Sequence, residues 1–165
     1  MNRTCAHGAA RERAGKAMTG TTLDHNLSCP ECGAPRVQGM TCSEMLGAII
    51  AREADDPELL AEHFLTVASY NLQHPAQFTD AAVVGLRAVF VEYLDRGLGI
   101  AEIRRRVGQA AAGTTRVLRP EAERRIVLRQ WRMTIADVYL PKQPEAAAER
   151  VRAWARAIRD ELGNT

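Results

Sequence analysis

The chain is poor in aromatic residues, with three Phe, three Tyr and two Trp among 165 positions. That scarcity leaves no ladder of stacking side chains of the kind that tracks single-stranded nucleic acid. It also lacks any apolar run near the ~20 residues a membrane-spanning helix requires. The N-terminus has no basic-then-apolar layout of a secretory signal, so the expectation is a soluble, cytoplasmic protein without a membrane partner. Formal charge is only +2, which excludes a global electrostatic argument for nucleic acid or lipid. Phosphate-cradling GxxxxGKS, dinucleotide-binding GxGxxG and metalloprotease HExxH patterns are all missing, as is any Ser, His and acid constellation.

What is present is Ala, Leu, Arg and Glu in abundance, within a composition that is 46% apolar. These residues lose little rotamer freedom in helices, and the expected class is all-α. Residues 1–27 carry no helical or alternating apolar period and read as a flexible tail containing Cys5 and His7. Residues 28–165 read as one zinc-binding helical domain, a bundle of five or six helices behind an N-terminal zinc-knuckle loop.

Helix one is expected at about 42–53, where Thr41 and Glu44 form a capping-box pair and Cys42, Met45, Leu46, Ile49 and Ile50 share a face. Asp56 and Pro57 open a second helix to about residue 73, with Leu60, His63, Val67, Tyr70 and His74 as its inward stripe. A third helix, from Thr79 or Asp80 to Gly97, carries Val83, Leu86, Val89, Phe90 and Leu94 and is expected to be the central core helix. A shorter fourth buries Ile100, Ile103 and Val107. An irregular basic stretch runs on to Trp131; Thr134 and Asp137 cap a short helix, and the last helix buries Val151, Trp154, Ile158 and Leu162.

Three of the four cysteines fall in the segment SCPECGAPRVQGMTC, residues 28–42. Two residues between Cys29 and Cys32 let a tight turn aim both sulfurs at one ion, and Gly33 supplies the positive φ such turns use. Cys42 opens helix one, where the helix end favours a thiolate. A redox pair is the competing explanation, but Pro30, Gly33 and Pro35 favour a loop over the helix that follows a thioredoxin-type CxxC. A closed tetrahedral site needs a fourth ligand, for which His63 and His74 compete.

They lie eleven residues apart, roughly 16 Å along a straight helix, so both cannot hold one ion. If helices one and two form an antiparallel hairpin about residues 54–56, Cys42 lies level with Ala68 to Tyr70. His74 then falls one turn beyond, where the knuckle enters, and His63 lies level with Ile49. The count favours Cys29, Cys32, Cys42 and His74 for Zn2+, a choice that a bend in helix two would reopen. His63 and Tyr70 are left as candidates for a core hydrogen bond or, as general base or substrate contact, for a catalytic pocket beside the metal.

CPECG, Cys42 at a helix start, HFLTVASYNLQHP and the later MTIADVYL and ERVRAWARAI together resemble an uncharacterised bacterial family, domain of unknown function family 5946. The most specific piece is the helix with His63, Leu65, Thr66, Val67, Tyr70, Gln73, His74 and Pro75. The resemblance, from Cys29 to about Glu161, implies a small protein with a Cys/His constellation suited to metal and no assigned reaction. Three functional expectations follow. Zinc acts structurally in a protein that meets a protein partner or small molecule; or it serves a hydrolase or biosynthetic tailoring enzyme with a pocket near Cys42, His63 and Tyr70. The third is nucleic-acid binding, drawn from nine Arg against two Glu between residues 103 and 132.

Overall fold

Side chains that accept from otherwise unpaired amides mark where most of the helices begin. The computed structural model describes residues 28–112 and 116–163; the expected tail at 1–27, with Cys5 and His7, lies outside the described residues. Helix α1 (Cys42–Arg52) starts behind the Thr41–Glu44 box, in which the Thr41 amide donates to Glu44 Oε2 at 2.7 Å and the Glu44 amide to Thr41 Oγ1 at 3.3 Å. Asp56 accepts from the Leu59 amide at 3.0 Å and opens α2 (Pro57–Ala61). Helix α3 spans His63–Gln73 and α4 spans Asp80–Arg96, the latter capped by Thr79 and closed by Gly97 in the left-handed region at φ 68°. Then come α5 (Ile100–Ala112), α6 (Ile135–Val138) behind Thr134 and Asp137, and α7 (Ala147–Gly163). Short 3-10 turns occupy Pro75–Gln77, Glu121–Glu123 and Pro144–Ala146, and no strand beyond isolated bridges occurs among the described residues. The fold is all-α.

Among the described residues seven helices replace the expected five or six, because the single helix expected over 57–73 is two. Glu62 leaves helical geometry at φ −93°, ψ 8°. Its carboxylate is held by Arg152 of α7 at 2.6 Å, and its carbonyl accepts from Thr66 Oγ1 at 3.2 Å. The break resets the phase of the apolar face. Leu59 is fully buried and Leu60 is 54% exposed, so the inward residues are Leu59, Leu65, Thr66, Ala68, Ser69, Leu72 and Gln73 rather than the expected stripe. Of that stripe, His74 is buried, Val67 and Tyr70 are half-buried, and Leu60 and His63 face outward.

The central helix is α7, not α4. It packs against α2, α3, α4 and α6 and buries Val151, Trp154, Ile158 and Leu162 as expected, together with Ala147, Ala148, Ala155 and Ala157. Alanines let the neighbouring helices approach while the large residues fill the gaps between them, each large apolar side chain contributing about 1.5–3 kcal/mol through burial. Helix α4 touches the bundle by one edge, against α3 and α7; its single fully buried residue is Phe90, and Val84 is 66% exposed. In α5, Ile103 is buried and Ile100 is exposed; the side chain of Val107 lies outside the described residues.

From Arg116 to Trp131 the chain runs irregularly over the surface, as expected, and is tied to the bundle by its backbone. The Thr79 amide donates to Val117 at 3.0 Å, Arg119 to Gln77 at 2.9 Å and Arg129 to Glu31 at 3.0 Å. Several of these arginines are engaged within the fold. Arg105 and Arg106 pair with Glu102, and Arg106 also with Glu92; Arg119 pairs with Asp80, Arg132 with Asp160, and Arg129 lies over the Trp131 ring at 4.0 Å.

The turn between α1 and α3 carries a buried carboxylate. Glu53 is 4% exposed, accepts from His63 Nδ1 at 2.5 Å, and has its other oxygen buried without a partner. Removing the imidazole strands that charge. His63→Ala is therefore expected to lower stability by about 1–3 kcal/mol, moderated because His63 itself is half exposed. Urea denaturation of the two proteins checks this; unchanged stability would remove His63 from the account of the fold.

Candidate metal centre

The knuckle is a tight turn closed by its own backbone, with the Cys29 amide donating to Ala34 at 2.8 Å and the Gly33 amide to Cys29 at 3.0 Å. Gly33 sits at φ 74°, where a side chain would be strained, and an added Cβ would come within 3.3 Å of Gln130 Oε1. Glu31, between the two cysteines, fastens the turn to the end of α3 by accepting from the Ala76 amide at 2.7 Å. Its carbonyl accepts from Arg129. The turn is thus clamped between the loop after α3 and the segment before Trp131.

This clamping brings Cys29 and Cys32 against Cys42, in the first turn of α1, and His74, the residue that ends α3. One ligand atom from each of the four lies within 4.8 Å of every other. Cys32 Sγ is 3.4 Å from Cys42 Sγ, and Cys29 Sγ is 3.4 Å from His74 Nε2. A disulfide is excluded, since its sulfurs would stand about 2.05 Å apart and all three cysteines are free. The edges of a tetrahedron with metal–sulfur bonds near 2.3 Å and a metal–nitrogen bond near 2.0 Å are about 3.5–3.8 Å. Two of the six donor separations stand close to that spacing and all lie within 4.8 Å, so the residues fit a tetrahedral metal ion.

The imidazole is also correctly presented. His74 Nδ1 lies 2.7 Å from the Tyr70 carbonyl, which can only accept, so Nδ1 carries a proton and Nε2 is the nitrogen that faces the sulfurs. Tyr70 stacks on the same ring, centroids 4.0 Å apart. Burial alone would depress His74, yet hydrogen bonds to Cys29 and Cys32 outweigh it and raise the imidazole to about 10. Hydrogen bonds from Cys32 and Cys42 hold Cys29 far below the ordinary thiol range, while the contacts with Cys29 and Cys32 push Cys42 above it. Cys29 thus carries thiolate character that a cation would neutralise. Cys32, Cys42 and His74 are 1%, 6% and 7% exposed.

A cleft of about 230 Å³ opens against Cys29, Cys42 and His74, with Ser43, Met40 and Tyr70 on its walls. Burial first, and then the charge of Cys42, raise the Tyr70 phenol to about 12 against a hydrogen bond from Ser43. Tyr70 lines this cleft beside the cluster. His63 is not part of it: the structure places that residue at the far end of α3, paired with Glu53.

Gln73, quoted in the helix motif without a role, is 1% exposed and joins three elements. Its amide nitrogen donates to the Met133 carbonyl at 2.7 Å and its oxygen accepts from Trp154 Nε1 at 3.2 Å. Thr66 is equally buried at the helix break. A polar residue next to a ligand was the available signal, but its partners lie 60 and 81 positions away.

Fold and site together define a small all-α protein with a Cys3His cluster able to hold a metal ion. The chain belongs to a family of unknown function (DUF5946), whose sequence profile matches residues 27–163. No curated protein and no solved structure matches it.

Gln73→Leu keeps the volume and strands the Trp154 N–H and Met133 carbonyl in the core. We expect a loss of about 1–3 kcal/mol in chemical denaturation, with metal content unchanged. Wild-type stability would show that the network contributes nothing.

Proposed function

We propose that this is a zinc protein in which Cys29, Cys32, Cys42 and His74 hold one Zn2+ ion as a structural fastening. The convergence of three thiols and one oriented imidazole, three of the four buried, carries the reading. Soft sulfur donors in a tetrahedral set select zinc over the hard divalent cations. The ion would supply a fixed junction between the knuckle, the start of α1 and the end of α3, in a protein whose role is interaction or regulation.

One observation favours a second reading as a zinc-dependent hydrolase or tailoring enzyme: the cleft beside the cluster touches three of the four donors. Catalytic zinc needs an open coordination position, which this set offers only if a protein ligand departs. Cobalt-substituted protein separates the two, because an open site changes its visible spectrum with added anions or with pH and a closed site does not.

Metal content tests the ligand set. Wild type and His63→Ala should each carry one zinc per chain, whereas Cys32→Ser and His74→Ala should carry little. Retention in His74→Ala with loss in His63→Ala would overturn the assignment. Where free zinc is a thousandfold above its dissociation constant, binding stabilises the fold by about 4 kcal/mol. Chelation should then lower the melting temperature by about 8–16 °C for a chain of this size.

A further inference from the structure

Away from the cysteines, a second and larger cavity of about 620 Å³ lies between α7, the end of α4 and the turn into α5. None of the four proposed zinc ligands lines it. Helix α7 contributes Arg152, Arg156 and Arg159, whose spacing of four and three puts them on one face. The carboxylates of the cavity are already engaged. Glu62 holds Arg152 at 2.6 Å, Asp95 receives two nitrogens of Arg159 at 2.9 and 2.8 Å, and Asp160 is taken by Arg132 at 3.3 Å. Arg156, between the two paired arginines, has no ion pair or hydrogen bond among the described residues. Three carboxylates and three arginines line the cavity, and because Arg132 engages Asp160 from outside it, Arg156 is the one lining arginine left without a carboxylate partner among the described residues.

The opposite character lines the same cavity. Leu65 is buried, Tyr93 and Leu98 are half-buried, and Ile100 is 44% exposed at the first position of α5. A volume of about 620 Å³ falls within the range of roughly 300–1,000 Å³ typical of small-molecule sites. A single guanidinium offers a bidentate fork to one carboxylate or phosphate, and the apolar wall gains by covering a hydrocarbon body.

We propose that this cavity binds a small amphipathic anion, its carboxylate or phosphate head on Arg156 and its apolar chain against Leu98 and Ile100. The ion pairs on either side hold Arg152 and Arg159 in place, so Arg156 alone selects the charge. The site is independent of the zinc assignment and stands or falls separately.

Calorimetric titration of the full chain with decanoate tests it, alongside decyl phosphate, decanol and acetate below their aggregation limits. Saturable binding of decanoate or decyl phosphate is expected, the tighter of the two naming the head group, with decanol and acetate much weaker. Arg156→Ala and Ile100→Asp should each weaken that binding about tenfold or more, with melting temperature and zinc content unchanged. Arg104→Ala, an exposed arginine outside the cavity, should leave binding intact. Equal binding by wild type and Arg156→Ala, decanol binding as tightly as decanoate, or no saturable binding of either anion would overturn the proposal.

Discussion

The convergence of four donors at one point is the constraint on which the rest of this architecture depends. Residues 28–41 contain no helix and bury few side chains, so burial and local hydrogen bonds alone offer little to hold them. Two backbone bonds close the knuckle on itself, and Glu31 ties it to Ala76 and Arg129. The same knuckle places Cys29 and Cys32 against a helix start and a helix end that are distant in sequence. In the zinc reading, the ion converts that juxtaposition into a junction by which the first hairpin is fastened to the extended segment crossing over it.

Helix α3 links this junction to the core through its last turn. His74 faces the cysteines and Gln73, one residue earlier, faces Trp154, the large side chain at the centre of α7. A shift of α3 along its axis would disturb both together. The polar residues of its motif thus have packing and orienting roles: Thr66 bonds back across the helix break, Gln73 bridges three elements and Tyr70 aligns the imidazole. None of these roles by itself requires a reaction.

Features set by neighbouring residues were legible in the sequence. The Thr41–Glu44 and Thr134–Asp137 boxes, the Asp56 and Thr79 caps and the Gly97 terminus are local chemistry, and they mark helix ends wherever the chain goes. Counting from the hairpin turn also separated His74 from His63. The fold brings His74 to the three cysteines, and the break at Glu62 lies before His63 and leaves the 63–73 helix continuous. The break itself was not legible: no Gly or Pro marks it, and the arginine that holds Glu62 lies 90 residues later. The central position of α7 was hidden for a related reason, since α4 and α7 both carry apolar faces and only their packing decides which is enclosed. The partnership of His63 with Glu53 likewise required knowing how the chain turns between α1 and α3.

X-ray absorption at the zinc edge of the purified full-length protein tests the central claim most directly. The account predicts a first shell of three sulfurs near 2.3 Å and one nitrogen near 2.0–2.1 Å, with imidazole scattering beyond it. A shell dominated by oxygen, fewer than three sulfurs, or a protein that takes up no zinc would contradict it.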